Sequence, residues 1–148
     1  MTTYDLAVIG AGPGGYVAAI HAAKSGLRVL LVEKNKVGGA CYNVGCIPSK
    51  IMLEHSKLVQ EIRRGTDWGI TVAMINIDFP KLMRRKDAVI DELLHNIEDF
   101  IENAQIDLIY GEATVTADKA VIVNNQSYEA KHVILATGSR PFVPPFKG

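Results

Sequence analysis

The chain has almost no cysteine, no net charge and no long apolar run. Only two of its 148 residues are cysteine, and sixteen basic side chains cancel sixteen acidic ones. That balance supplies no electrostatic footprint for a nucleic-acid backbone and no acidic tail. The one basic cluster, Arg84-Arg85-Lys86, reads as the solvated face of a helix. No apolar stretch approaches the length needed to cross a bilayer, and Met1-Thr2-Thr3 leads straight into a strand pattern instead of a secretory leader. The expectation is a cytoplasmic protein with neither nucleic-acid nor membrane partners. In that reducing compartment a lasting structural disulfide is out of place. No metal is expected either, because two thiols make half a zinc site and His21 and His55 lie at no recognised ligand spacing.

What is there is an α/β pattern on the scale of one domain. Tyr4–Ile9 is almost continuously apolar, as a parallel strand covered on both faces requires. A glycine turn follows, then an alanine-rich helix over Tyr16–Ser25 closed by Gly26, then a second apolar strand over Arg28–Glu33. These pieces form one β-α-β unit. Met52, Leu53, Leu58, Val59 and Ile62 mark an amphipathic helix over Ser49–Arg64, with Gly65 as its stop. Lys81–Asn103 reads as a long helix with Leu82, Val89, Leu93, Ile97 and Ile101 on its core stripe. Short strands follow at Asp107–Tyr110, Glu112–Thr116, Ala120–Val123, Ser127–Ala130 and His132–Ala136, separated by polar turns such as Asn124-Asn125. The middle three are expected to form an antiparallel meander inserted into a mostly parallel sheet.

Gly10-Ala11-Gly12-Pro13-Gly14-Gly15 is a Gly-x-Gly-x-x-Gly fingerprint with a strand before it and a helix after it. Gly10 permits the tight turn, Gly12 lets backbone approach a pyrophosphate, and Gly15 allows the helix to lie close to the strand. A diphosphate then meets unpaired N–H groups at the positive end of the helix. Glu33, with Lys34 beside it, ends the second strand about twenty residues later, where a carboxylate accepts hydrogen bonds from ribose hydroxyls and repels a 2′-phosphate.

Both cysteines lie in the next segment, Gly38-Gly-Ala-Cys-Tyr-Asn-Val-Gly-Cys-Ile-Pro-Ser-Lys50. A pair that only packed would not need Gly38, Gly39 and Gly45 around it. Pro48 suits the first turn of a helix, so Cys46 is placed near a helix N-terminus. There the partial positive charge, with Lys50 one turn on, favours a reactive thiolate. A reversible Cys41–Cys46 disulfide beside a dinucleotide is the layout of an electron-transfer site. A nicotinamide set directly against a disulfide has no good route for hydride, whereas a flavin accepts hydride and reacts with thiols, so FAD is the expected dinucleotide.

These motifs resemble the pyridine nucleotide-disulfide oxidoreductases, and the resemblance covers essentially the whole chain. It implies a Rossmann-like FAD-binding domain. It implies further that Cys46 is the flavin-proximal thiol of a charge-transfer complex, Cys41 the interchange thiol that attacks a substrate disulfide, and Lys50 the cation near the flavin ring. Gly39 and Ala40 join the cofactor contacts, Ala113 resembles a backbone contact to the adenine, and Thr137-Gly138-Ser139 matches the motif that crosses the cofactor after the last strand. Ile47-Pro48-Ser49-Lys50 resembles the lipoamide-oxidising members, and Ile20 stands where glutathione reductases carry an arginine. Mercuric reductases share much of the cysteine segment and are the alternative within the family. Ala40 stands where relatives commonly have threonine, which removes a hydroxyl contact worth about 1 kcal/mol, and Tyr42 stands where a smaller aliphatic residue is usual.

The resemblance also implies partners and missing parts. The substrate would be a lipoyl domain of a 2-oxoacid dehydrogenase or glycine cleavage complex, the final acceptor NAD, and the parent a homodimer. Family members continue into an NAD domain, a return of the FAD domain and an interface domain with an acid-base His-Glu pair. Residues 1–139 are therefore expected to be the N-terminal part of an incomplete FAD-binding domain, and 140–148, rich in proline, a linker toward an NAD domain. On this reading the 148 residues alone are inactive and hold FAD weakly or not at all. The alternative from another class is a stand-alone small nucleotide-binding thiol module.

Overall fold

The computed structural model describes residues 3–146, so Met1, Thr2, Lys147 and Gly148, including the end of the expected linker, lie outside the described residues. Ten elements follow one another: β1 (Thr3–Ile9), α1 (Pro13–Lys24), β2 (Val29–Glu33), α2 (Gly39–Asn43), α3 (Cys46–Arg64), α4 (Phe79–Asn103), β3 (Asp107–Tyr110), β4 (Ala113–Val115), β5 (Val121–Val123) and β6 (Gln126–Leu135). One six-stranded sheet runs β3-β2-β1-β6-β5-β4. Its β3-β2-β1-β6 part is parallel, and its β4-β5-β6 part is an antiparallel meander.

The apolar runs of β1 and β2 have the predicted cause, since both faces of the parallel strands are covered. Leu6, Val8, Val29 and Leu31 face a core shared with Ala19 of α1 and Ile90, Leu94, Ile97 and Ile101 of α4. Ala7, Ile9, Leu30 and Val32 face the opposite way, toward Val121 and Val123 of the meander. At roughly 25 cal/mol per Å² of apolar surface removed from water, these two layers are the main stabilising term of the fold.

Five expectations are corrected. Ser127–Ala130 and His132–Ala136 are one strand, β6, whose start pairs antiparallel with β5 and whose continuation pairs parallel with β1. Lys131 stays in the strand because its neighbours keep their parallel pairing, Ala130 with Tyr4 and His132 with Leu6, and its ammonium reaches the Asp5 carboxylate at 2.6 Å. Gly65 does not stop α3: its φ of −56° is right-handed, the chain tightens into a 3₁₀ turn over Gly65–Trp68, and Gly69 at φ +76° makes the reversal. The long helix starts two residues earlier than expected because Asp78 caps it, its carboxylate accepting the Lys81 N–H at 2.9 Å. Its buried face is Ile90, Leu94, Ile97 and Ile101; Leu82, Val89 and Leu93 lie at the margin. Within α3, Met52, Val59 and Ile62 are half-buried while Leu53 and Leu58 stay exposed.

The Asn124-Asn125 turn is the two-residue hairpin loop joining β5 and β6, with both residues at positive φ as such loops demand. β6 lies beside β1 as expected. Beyond Tyr128 its other side has no strand partner among the described residues, and Leu135 there is exposed.

Candidate functional site

The carboxyl ends of β1, β2 and β6 come together at one edge of the sheet, the place where open α/β sheets bind ligands. β1 ends in Gly10 at φ +103°, whose N–H donates to the Val32 carbonyl at 2.7 Å. A Cβ on Gly10 would stand 2.3 Å from the Ala136 oxygen, and one on Gly15 would stand 1.7 Å from the Gly10 oxygen. Helix α1 can therefore start directly beneath the turn only because both positions lack side chains. Gly12 is its N-cap, and Pro13 fills the first turn, where no N–H is needed. Gly39, at φ +56°, brings its backbone so near Gly12 that a Cβ there would lie 2.8 Å from the Gly12 Cα. The floor between the two loops is thus bare backbone.

Glu33 ties this floor to the next loop. It is 9% exposed; its Oε2 accepts the Ala11 N–H at 2.8 Å and its Oε1 accepts the Asn35 N–H at 2.9 Å. The residue expected to serve a ribose is thus also a brace of the glycine turn. Each carboxylate oxygen keeps a further lone pair for a ligand hydroxyl. The Ala11 carbonyl in turn accepts the Gly38 N–H at 2.8 Å, so the glycine turn holds the start of the cysteine segment.

A cleft of about 840 Å³ opens above these loops, within the size range of small-molecule sites. Of the expected cofactor residues, Gly10, Gly12, Pro13, Gly14, Glu33, Lys34, Gly39, Ala40, Cys41, Thr137, Gly138 and Ser139 line it. Gly15 lies beneath it as a packing position. Ala113 lies in a smaller neighbouring cavity of about 270 Å³, which shares Gly10, Glu33, Lys34 and Thr137 with the main cleft. Like Gly15, two further expected residues line neither cavity: Lys50 borders a groove between α3 and α4, and Cys46 is exposed at the start of α3.

Cys41 sits on α2, a single turn of five residues that sequence periodicity could not reveal. The Asn43 side chain holds that turn by donating to the Val37 carbonyl at 3.0 Å and the Gly39 carbonyl at 2.9 Å. Cys46 is the first residue of the 19-residue α3, with Gly45 as N-cap and no acidic side chain in the first turn to offset the positive end. The two thiols are neighbours. A hydrogen bond with Cys46 pushes the Cys41 thiol above its usual range, burial adds to this, and the Cys46 backbone N–H and Lys50 pull it back. Tyr42 is a packing residue: its ring meets that of Tyr16 edge-on at 78°, with centroids 6.4 Å apart. Ile20 packs half-buried against the helical core.

A family model described as pyridine nucleotide-disulphide oxidoreductase matches residues 4–148. The chain belongs to that family. It is 42% identical over 139 residues to a dihydrolipoyl dehydrogenase of Mycoplasma genitalium, covering 93% of the chain and 30% of that protein. It is 40% identical over 146 residues to one from Acholeplasma laidlawii, covering 98% and 44%, and 42% identical over 145 residues to one from Geobacillus stearothermophilus, covering 95% and 31%. The chain thus spans between 30% and 44% of the length of these relatives. No helix among the described residues is long and apolar enough to cross a membrane.

Sequence reasoning missed several walls of the site. Asn35, Lys36, Asn43, Val44 and Ala136 line the main cleft, and Gly111 and Glu112 line the smaller one. Asn43 carried a usable signal, an amide four residues past a Gly-Gly turn and so within reach of its carbonyls. Ala136 carried one too, as the residue that opens the Ala-Thr-Gly-Ser run, and its N–H bond to the Ile9 carbonyl at 2.8 Å sets it in the wall.

Proposed function

We propose that the chain is the flavin-binding and disulfide part of a dihydrolipoyl dehydrogenase, and that its two clefts hold FAD. The observation that carries this reading is the bare backbone floor between Gly12 and Gly39, with a helix N-terminus on one side and Cys41 on the other. A diphosphate fits that floor because no side chain occupies it and backbone N–H groups face it. The free lone pairs of Glu33 suit ribose hydroxyls, and the cavity beside Ala113 suits the adenine. When bound there, FAD supplies a two-electron carrier between the thiol pair and a nicotinamide nucleotide. NAD serves as the final acceptor in this reading, and the partner is a lipoyl domain of a 2-oxoacid dehydrogenase or glycine cleavage complex.

The chain's own part is thiol exchange. A thiolate of the dihydrolipoyl dithiol attacks the Cys41 sulfur of a Cys41–Cys46 disulfide and Cys46 leaves as thiolate, stabilised by the α3 N-terminus and Lys50. The second lipoyl thiol then displaces Cys41, releasing cyclic lipoyl disulfide and leaving two protein thiols. The assignment of Cys46 to the flavin side rests on the resemblance of the cysteine segment, since it is Cys41 that lines the cleft. The oxidised chain incubated with dihydrolipoamide should gain two thiols, faster than with dithiothreitol at equal thiolate concentration. Neither Cys41→Ser nor Cys46→Ser should show the exchange. A wild-type chain that stays unreactive toward dihydrolipoamide, or gains thiols no faster than with dithiothreitol, contradicts the proposal.

A further inference from the structure

Helix α2, five residues long, is too short to hold its own shape, since isolated helices below about 12 residues are marginal in water. Tertiary contacts must set where it places Cys41. Asn43 ties the turn only to its own backbone at Val37 and Gly39. Tyr42, next to Cys41, reaches away from the turn. Its ring stands edge-on to Tyr16 of α1, and its hydroxyl lies 3.4 Å from the Tyr16 hydroxyl. The fit behind it is close: a Cβ on Gly38 would fall 2.7 Å from the Tyr42 Cβ and 2.8 Å from a Leu94 methyl of α4. Tyr42 therefore bolts the cysteine turn between α1 and α4.

We propose that Tyr42 is a positioning residue that fixes Cys41 against Cys46 and thereby sets how strongly the pair holds its disulfide. The proposal rests on the reading of Cys41 and Cys46 as a redox pair. Disulfide formation within one chain depends on the effective concentration of one thiol at the other, and a rigid turn raises it. In a glutathione buffer the step is two protein thiols plus one glutathione disulfide giving one protein disulfide plus two glutathione thiols. Electrons and protons balance. Loosening α2 lowers the equilibrium constant and makes the pair easier to reduce.

An edge-on aromatic pair attracts beyond the apolar area it buries. The contact here is mostly ring against ring, because 3.4 Å is long for a bond between hydroxyls. Phenylalanine should therefore replace tyrosine well and leucine should not. Burial and then the Tyr42 hydroxyl push Tyr16 up to about 12, so Tyr16 stays uncharged through neutral pH.

The test equilibrates the 148-residue chain with reduced and oxidised glutathione and counts trapped thiols by mass. Tyr42→Leu should lower the equilibrium constant about tenfold, which is about 30 mV for a two-electron couple. Tyr42→Phe should stay within about threefold of wild type, a rescue that general loss of packing would not give. If Tyr42→Leu does not fold, Tyr16→Leu removes the same contact from the other side and should move the constant in the same direction. A constant unchanged in the folded leucine variant overturns the positioning role. A wild-type chain that forms no Cys41–Cys46 disulfide at all defeats instead the redox reading on which the role rests.

Discussion

Gly15→Ala should cost about 3 kcal/mol or more of folding stability, the upper range of overpacking penalties, while Gly14→Ala stays within about 0.5 kcal/mol of wild type or gains slightly. Both are first-turn positions of the same helix and members of the same glycine fingerprint. They differ in what a methyl group would meet. At Gly15 it would lie 1.7 Å from the Gly10 oxygen and 3.3 Å from the Ala136 methyl; at Gly14 it would meet nothing within 4 Å. The Gly10 oxygen has little freedom to retreat, because its residue is held at φ +103° and its N–H is tied to the Val32 carbonyl at 2.7 Å. The only relief is to lift α1 off β1, and that opens the layer containing Ala19, Leu6 and Val8. Urea unfolding of the two variants separates the cases. Equal stability of both would show that the turn is more compliant than its geometry indicates.

Glu33→Ala should destabilise the ligand-free chain by about 3 kcal/mol, with Glu33→Gln between it and wild type. A side chain that served a ribose alone would not behave so. Here the carboxylate accepts two backbone N–H groups, one at Ala11 inside the glycine turn and one at Asn35 in the loop after β2. Alanine leaves both donors without a partner in a site that is 9% exposed, and each orphaned donor costs about 1–3 kcal/mol. Glutamine satisfies one donor and turns an amide N–H₂ toward the other. The check is denaturant unfolding without nucleotide. An alanine variant as stable as wild type would mean that Glu33 does not brace the turn.

How much of this was legible in the sequence varies with the range of the interaction involved. The first β-α-β unit was readable because strand burial, glycine spacing and the Gly26 stop are local signals. The first turn of α3 was readable for the same reason, through Pro48, although the helix begins at Cys46, three residues before the expected Ser49. The short helix carrying Cys41 was not, because five residues show no periodicity and its shape comes from contacts with Tyr16, Leu94 and the Gly38 carbonyl region. The unity of β6 was hidden by Lys131, a polar residue whose partner, Asp5, lies 126 positions away. The buried face of α4 was off by a fraction of a turn: Ile97 and Ile101 were found, but which of Val89 or Ile90, and of Leu93 or Leu94, faces the sheet depends on how the helix lies across it. Within the site, the residues of the glycine turn and the cysteine segment were found through their motifs. The structural duty of Glu33 arises only when three strand ends meet.

On the proposed reading, one cleft sets a floor for FAD against Cys41, with Cys46 beside it at the start of α3. Titrating FAD to saturation into the isotope-labelled chain, and following every backbone amide by nuclear magnetic resonance, tests this most directly. Saturable shifts should appear at Gly10, Gly12, Gly14 and Glu33, at Cys41 and its neighbours, and at Thr137–Ser139. Saturating FAD that leaves these amides unmoved, or that moves only residues remote from Cys41, would contradict it.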